Sequence, residues 1–323
     1  MKLQHMALSA TFALVLGGVM AAGIPSGTVL SLLTQATIYA VFALGVGVLL
    51  RQNGMVSFGH ALFFGGASYV TGVLLQQNRM DPELAILAAL LLVTLAAFVI
   101  GLVIVRVPGV AFGMLTLAIG QMFYLTASRA RGVTGGADGM TIDWPSRLFG
   151  LPVSQLLKPG SMFLVAWGTL VLVMFVLACL LRTRFGAITE AVRDHEERAR
   201  FIGIATLWPR AAVYALSAFV AGVAGVLSAL NTGFVSPESL HWSLSGVALM
   251  MVVVGGSGSL WGPAVGALVY FSFKDILGEY ATHWMTIFGV LLIAIIVFSP
   301  TGVAGLLARL TSGRKPSAAA GSH

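Results

Sequence analysis

Charge is what this sequence has least of: 18 Lys and Arg and 11 Asp and Glu make up 9% of 323 residues, against 58% hydrophobic residues. Soluble domains carry about 25% charged and about 45–50% apolar residues. A water-facing surface is therefore missing, and lipid must supply most of the solvent. A cytosolic enzyme, a secreted module and a nucleic-acid binder are excluded together. The net charge of +7 does not restore the last of these, because too few Lys and Arg are present to build a phosphate-binding face. The single cysteine, Cys179, sits in an apolar run and excludes a disulfide framework or a cysteine metal site. Lysine is scarce too. None of Lys2, Lys158, Lys274 and Lys315 follows a glycine, so the Gly-x-x-x-x-Gly-Lys-[Ser/Thr] phosphate loop is absent and the chain is not expected to hydrolyse ATP itself. His195-Glu196 opens like a zinc-hydrolase motif, but Ala199 occupies the place of its second histidine.

What is present is long uncharged stretches, over 3–50, 52–78, 84–105, 107–128, 159–181, 211–237, 239–273 and 280–308. A helix needs about 20 apolar residues to span the hydrocarbon core. The first stretch, broken by Gly23-Ile24-Pro25-Ser26-Gly27, holds two spans. The stretch 239–273 is divided by Gly255-Gly256-Ser257-Gly258-Ser259 and Gly262-Pro263 into shorter pieces. The expected fold is an all-α polytopic membrane protein of about ten transmembrane helices, near 6–22, 28–50, 56–77, 84–105, 109–128, 160–181, 211–230, 241–256, 260–274 and 284–306, with broken or short helices near 241–274. The glycine-rich break at 255–262 reads either as a tight hairpin or as half-helices whose free backbone lines a cavity.

An even number of spans puts both termini on one side. With them fall Lys2, Arg51, Arg106, the six basic residues from Arg182 to Arg210, Arg309, Arg314 and Lys315, twelve in all; six basic residues fall opposite. Cytoplasmic loops carry the positive excess, so both termini are expected in the cytoplasm. This gives a transmembrane domain over 1–308, with a cytoplasmic loop at 182–210 and an external loop at 129–158, and a cytoplasmic polar tail at 309–323. Lys2, the apolar run after it and Val19-Met20-Ala21 imitate a cleavable leader. Retention is expected, because removal would put the new N-terminus outside; a nine-span mature chain is the alternative.

Residues 134–139, Thr-Gly-Gly-Ala-Asp-Gly, offer backbone N–H groups either to a ligand vestibule or to an ordinary surface turn. Residues 186–204, GAITEAVRDHEERARFIGI, predict one amphipathic helix with Ile188, Ala191, Val192, Ala199 and Ile202 on one face. Asp194 with Arg198, and Glu196 with Arg200, are acid-before-base pairs four apart; Gly203 and Pro209 mark the stop. That helix is either a solvated connector or a platform for a soluble partner. Ser217, Ala221, Gly225 and Ala229 form a small-residue stripe suited to close helix approach. His60, between Ser57-Gly59 and an apolar run, is either a hydrogen-bonded packing residue or part of a substrate path. All 11 acids lie at or beyond span ends, which disfavours an ion-gradient-driven secondary transporter without excluding sodium sites built from carbonyls and hydroxyls. No paired-Asp, Ser/His or metal constellation suggests an intramembrane hydrolase.

The segment EAVRDHEERARFIGIATLWPRAAVYALSAFVAGVAGVL resembles the coupling segment of permease subunits from ABC importers of branched-chain amino acids, in the LivM-like branch. GMVSFGHALFFGGASY at 54–69, GMLTLAIGQMFY at 113–124, TGGADGM at 134–140, GFVSPESL at 233–240 and MVVVGGSGSLWGPAVGA at 251–267 are similar to family blocks in family order. The resemblance covers nearly the whole chain. His195 departs from it where an acid is usual, and Val247 where many members carry Glu. The resemblance implies a multi-pass protein of a bacterial-type cytoplasmic (inner) membrane. Its implied partners are a second permease subunit (a paralogous heterodimer, with a homodimer as alternative), soluble ATPases that hydrolyse ATP with Mg, and an external substrate-binding protein. Residues expected to couple to the ATPase are Glu190, Ala191, Arg193, Asp194, Glu196, Arg200 and Gly203. Candidates for the substrate path are Ser57, His60, Thr116, Gln121, Thr134, Gly135, Gly136 and Ser236. No cofactor or metal is expected on this chain. The substrate stays open among branched-chain and other amino acids, urea and short amides.

Overall fold

The computed structural model describes residues 3–76, 81–107, 109–148, 150–280, 283–299 and 301–305. Every one of the ten apolar segments contains a helix: α1 (Leu3–Gly23), α2 (Gly27–Asn53), α3 (Ala61–Gln76), α4 (Pro82–Ile104) and α5 (Val110–Arg129), then, after the short α6 (Arg131–Thr134) and α7 (Val153–Leu156), α8 (Pro159–Leu180). Two polar helices follow, α9 (Arg184–Asp194) and α10 (Glu196–Phe201), and then α11 (Leu207–Thr232), α12 (Trp242–Gly255), α13 (Gly262–Tyr280) and α14 (Trp284–Phe298). Six of them, α1, α2, α4, α5, α8 and α11, are long and apolar enough to cross a membrane, and α3, α12 and α14 are shorter apolar helices. The protein is an all-α polytopic membrane protein. The tail at 309–323, with Lys2, Arg79, Arg314 and Lys315, lies outside the described residues.

Local chemistry sets several helix ends. The Ser26 hydroxyl accepts from Val29 N–H to cap α2, and Gly54, at φ +67°, closes it with an N–H bond of 3.0 Å to the Leu50 carbonyl. Pro82 and Pro159 open α4 and α8 at the first helical position.

Two helices form the centre. The apolar windows of α2 and α11 are each 78% buried, whereas that of α4 is 22% buried, so α4 lies at the periphery with lipid on one side. Its Ala85, Ala89, Val93, Ala97 and Gly101, four residues apart, face inward, and Leu84, Leu87, Leu91, Leu95 and Val103 are exposed. The stripe on α11 behaves as its spacing predicts. Ser217, Ala221, Gly225 and Ala229 are all buried, and a Cβ at Gly225 would overlap the Phe64 carbonyl oxygen of α3. On α2, a Cβ at Gly45 would stand 2.8 Å from the Ser217 carbonyl oxygen. The break at 255–262 turns the chain so that α13 packs against α12. A Cβ at Gly255 would overlap the Gly262 carbonyl oxygen, and one at Gly266 that of Met251, so α12 and α13 run against each other almost backbone to backbone.

The bundle has two distinct polar ends. At one, β1 (Met140–Thr141) pairs antiparallel with β4 (Phe234–Val235), joining the 129–158 segment to the loop after α11; β2 (Arg147–Leu148) and β3 (Leu151–Pro152) make a small hairpin within the same 129–158 segment. At the other, the end of α2 meets α9 and the start of α11: the Asn53 amide donates to the Arg210 carbonyl at 3.0 Å, and the Arg193 guanidinium donates to the Arg51 carbonyl.

Candidate functional site

The α9–α10 end is a corrected version of the single amphipathic helix. The helix breaks at His195, whose φ of −149° and ψ of 85° are extended. Asp194 and Arg198 consequently stand on different helices and do not pair; Asp194 instead pairs with Arg193 at 2.7 Å. The expected pair of Glu196 and Arg200 forms at 2.7 Å, and Glu196 also takes Arg210 at 2.7 Å and the Thr206 hydroxyl at 3.1 Å. Burial alone would raise the Glu196 carboxyl, but Arg210, Thr206 and Arg200 outweigh it and hold the group below the ordinary carboxylate range. It is therefore charged at neutral pH, and the tie between α10 and α11 would be lost only as pH falls through that lowered value.

Helix α9 is seated on α2 by Gln52. Its Oε1 accepts from the Thr189 hydroxyl at 2.6 Å, and its Nε2 donates to Glu190 at 3.5 Å. Glu190, Arg193, Asp194, Glu196 and Arg200 thus spend their polar groups within this chain. The apolar face differs from expectation as well. Val192 and Ala199 are buried and Ile188 is half-buried, while Ala191 points outward and Ile202 is 75% exposed next to Phe201 at 89%. Gly203 has φ +85°, and the Gly203 N–H to Arg200 carbonyl and Ile204 N–H to Ala199 carbonyl bonds, both 2.9 Å, close α10 in a left-handed cap.

His60 is fully buried between α2, α3 and α11. Its Nε2 lies 2.6 Å from the Ser217 hydroxyl, which donates to the Gly45 carbonyl at 2.7 Å, and its Nδ1 lies 2.8 Å from the Ser57 hydroxyl. Because the only Ser217 hydroxyl proton goes to Gly45, His60 carries its proton on Nε2 and accepts from Ser57 at Nδ1. Thr116 is equally occupied, accepting from Phe58 N–H at 3.2 Å and donating to the Gly113 carbonyl at 2.8 Å. We expect His60→Leu and Ser217→Ala each to destabilise the detergent-solubilised protein by about 1–3 kcal/mol, the cost of leaving a buried polar group unpaired. Substrate KM in the folded fraction should stay unchanged. A selective shift in KM with stability intact would assign His60 to the path.

At the opposite end two cavities, of about 400 and 280 Å³, share Tyr39, Ser228, Thr232, Leu244 and Val247 as walls and make one vestibule among α2, α11, α12 and α13. Ser236 and Glu238 line the larger; Gln35, Asn231 and Lys274 line the smaller. Lys274 sits 5.7 Å from the Phe271 ring. Aromatic walls with a few hydroxyls, amides and charges suit a small amphiphilic solute. Of the expected path residues only Ser236 lies here. The Thr134 hydroxyl shares its one proton between the Ala127 and Ala130 carbonyls at 2.6 and 2.9 Å, and Gly135 and Gly136, at φ +77° and +67°, shape the turn after α6. Thr134 also borders a separate apolar cleft of about 390 Å³ between α3, α4 and α5. Gln121 is half-buried on α5 with its Oε1 buried and without a partner. Tyr39, Ser228, Asn231 and Thr232, which line the vestibule, are not among the expected path residues. A hydroxyl or amide near a span end was the available signal, and it does not say which ends converge.

This architecture defines a class: a helical membrane protein with a polar, part-aromatic vestibule at one end and, at the other, a small helical platform tied to the same two central helices. The chain belongs to the family described as branched-chain amino acid transport system / permease component, which matches residues 28–299. It is 27% identical over 297 residues to the high-affinity branched-chain amino acid transport system permease protein LivM of Escherichia coli (strain K12), covering 86% of this chain and 70% of that one. It is 25% identical over 315 residues to a probable branched-chain amino acid transport permease protein LivM of Methanocaldococcus jannaschii, covering 87% and 86%. To the autoinducer 2 import system permease protein LsrC of Escherichia coli (strain K12 / DH10B) it is 28% identical over 277 residues, covering 82% and 77%. No solved structure matches the chain.

Proposed function

We propose that the chain is one permease subunit of an ATP-driven importer in the cytoplasmic membrane, carrying branched-chain amino acids or related small polar solutes. The observation that carries this reading is the joining of vestibule and platform through α2 and α11: Tyr39, Ser228 and Thr232 line the cavity, while Gln52 and Arg210 on the same helices hold α9 and α10. Movement of the platform is then transmitted to the vestibule along two rigid helices. The LivM relatives favour branched-chain amino acids as cargo, and the aromatic and aliphatic walls suit such a side chain. Val247, where the resemblance suggests an acid, gives both cavities an apolar wall instead.

In this reading separate ATPases hydrolyse ATP with Mg on the α9–α10 platform. A second permease subunit completes the path, and an external binding protein delivers substrate to the vestibule. Ala191 and Gly203, with Phe201 and Ile202, meet the ATPase; Glu190, Arg193, Asp194, Glu196 and Arg200 position them. The helices cross ten times, with both termini and residues 182–210 cytoplasmic. In a Cys179→Ser background, Asp138→Cys should react with an impermeant maleimide in intact cells and Glu197→Cys only after permeabilisation, since both positions are exposed. The reverse pattern overturns the orientation and with it the import reading.

A further inference from the structure

A cavity of about 290 Å³ opens where the end of α4, α10 and the start of α11 meet, lined by Arg106, Arg200, Arg210, Glu196, Thr206 and Leu207 with Val105. Three arginines and one carboxylate line it, and both carboxylate oxygens are engaged, Oε1 with Arg200 and Thr206 and Oε2 with Arg210. Donors are left over. The Arg210 side chain is 12% exposed, and its Nε–H is buried with no acceptor. A buried donor without a partner is uncommon in folded proteins. Arg106 is exposed and makes no ion pair among the described residues, its Nε–H being turned back to the Leu102 carbonyl at 3.0 Å.

The surroundings point to lipid. Arg106 follows α4, whose outer face is a row of exposed leucines, and Trp208, 57% exposed, lies against Phe98 of α4 with ring centroids 6.1 Å apart. Tryptophan is enriched at the bilayer interface, and Lys/Arg near helix ends reach that same layer. Basic pockets between membrane helices at headgroup depth attract anionic headgroups, and a guanidinium fork matches phosphate oxygens.

We propose that this cavity binds a phosphate group, that of an anionic lipid in the leaflet at the α9–α10 end, with Arg106 and Arg210 as donors. A lipid held there would tie α4 to α10 and α11 and so steady the platform. The assignment holds whichever compartment that end faces.

The test uses the full chain in nanodiscs or mixed micelles of phosphatidylglycerol and phosphatidylcholine, with bound lipid counted by native mass spectrometry and thermal midpoints recorded. Phosphatidylglycerol should be retained in preference to phosphatidylcholine. Arg106→Gln should cut that preference about fivefold, the effect of one basic residue near an anionic surface. Arg210→Lys, which keeps a cation beside Glu196 but removes the orphan Nε–H, should also lower it, and Arg129→Gln at the opposite end should not. Equal retention of both lipids, or an equal effect of Arg106→Gln and Arg129→Gln, overturns the proposal. Millimolar inorganic phosphate should leave phosphatidylglycerol binding intact; displacement by it would overturn the lipid assignment in favour of a soluble anion.

Discussion

Phe201→Ala is expected to weaken retention of the ATPase subunits by roughly 30-fold while leaving the permease as stable as the parent. An exposed aromatic at the tip of a short, firmly tied helix is the kind of anchor whose truncation costs about 2 kcal/mol or more at an interface, and 1.4 kcal/mol is a factor of about ten. Phe201 is 89% exposed, so its removal takes little packing from this chain. Ala191→Leu approaches the same surface from the opposite chemistry. Ala191 is exposed, so a larger side chain meets nothing in the permease, and any effect comes from crowding the partner. Overpacking of a dense contact costs about 1–3 kcal/mol, a loss of roughly 5- to 150-fold. Gly203→Ala separates a backbone requirement from crowding, because φ is +85° and no atom lies within 4 Å of the added Cβ. Co-purification and substrate-stimulated ATP hydrolysis should fall together, with detergent melting unchanged for Phe201→Ala and Ala191→Leu. If α9 and α10 only connect spans, both variants will couple as the parent does.

The sequence reading located the helices well because a missing charge is a local signal. Each uncharged stretch holds its helix, and caps such as Ser26, Gly54 and Pro82 are themselves sequence features. The small-residue stripe on α11 was equally legible, since 3.6-residue periodicity alone puts Ser217, Ala221, Gly225 and Ala229 on one side. The break at His195 was hidden by the same periodicity. Val192 and Ala199 are seven residues apart, two turns of a continuous helix, and both are buried, so the pattern fits one helix as well as two. The tie from Glu196 to Arg210 fixes α10 against α11 through a pair fourteen residues apart, which no helical period announces.

Longer range defeats sequence reading altogether. His60 was legible as an oddity, but its role depends on Ser217, 157 residues away, and on the carbonyl that Ser217 engages on α2. The vestibule draws walls from α2, α11, α12 and α13. Expected path residues at Ser57, His60 and Thr116 line neither of its cavities, being spent on hydrogen bonds that hold helices together.

Uptake into proteoliposomes tests the central claim most directly. The chain is reconstituted with the proposed second permease, ATPases and external binding protein, and labelled leucine is followed with ATP enclosed or omitted and with ionophores present or absent. The sequence contains no Gly-x-x-x-x-Gly-Lys-[Ser/Thr] phosphate loop, and the proposed reading draws the driving force from separate ATPases. The account predicts uptake that requires ATP, persists when ionophores collapse every ion gradient, and is absent with this chain alone. Uptake that stops under ionophore while ATP is maintained, or gradient-driven uptake by this chain without ATPases, would contradict it.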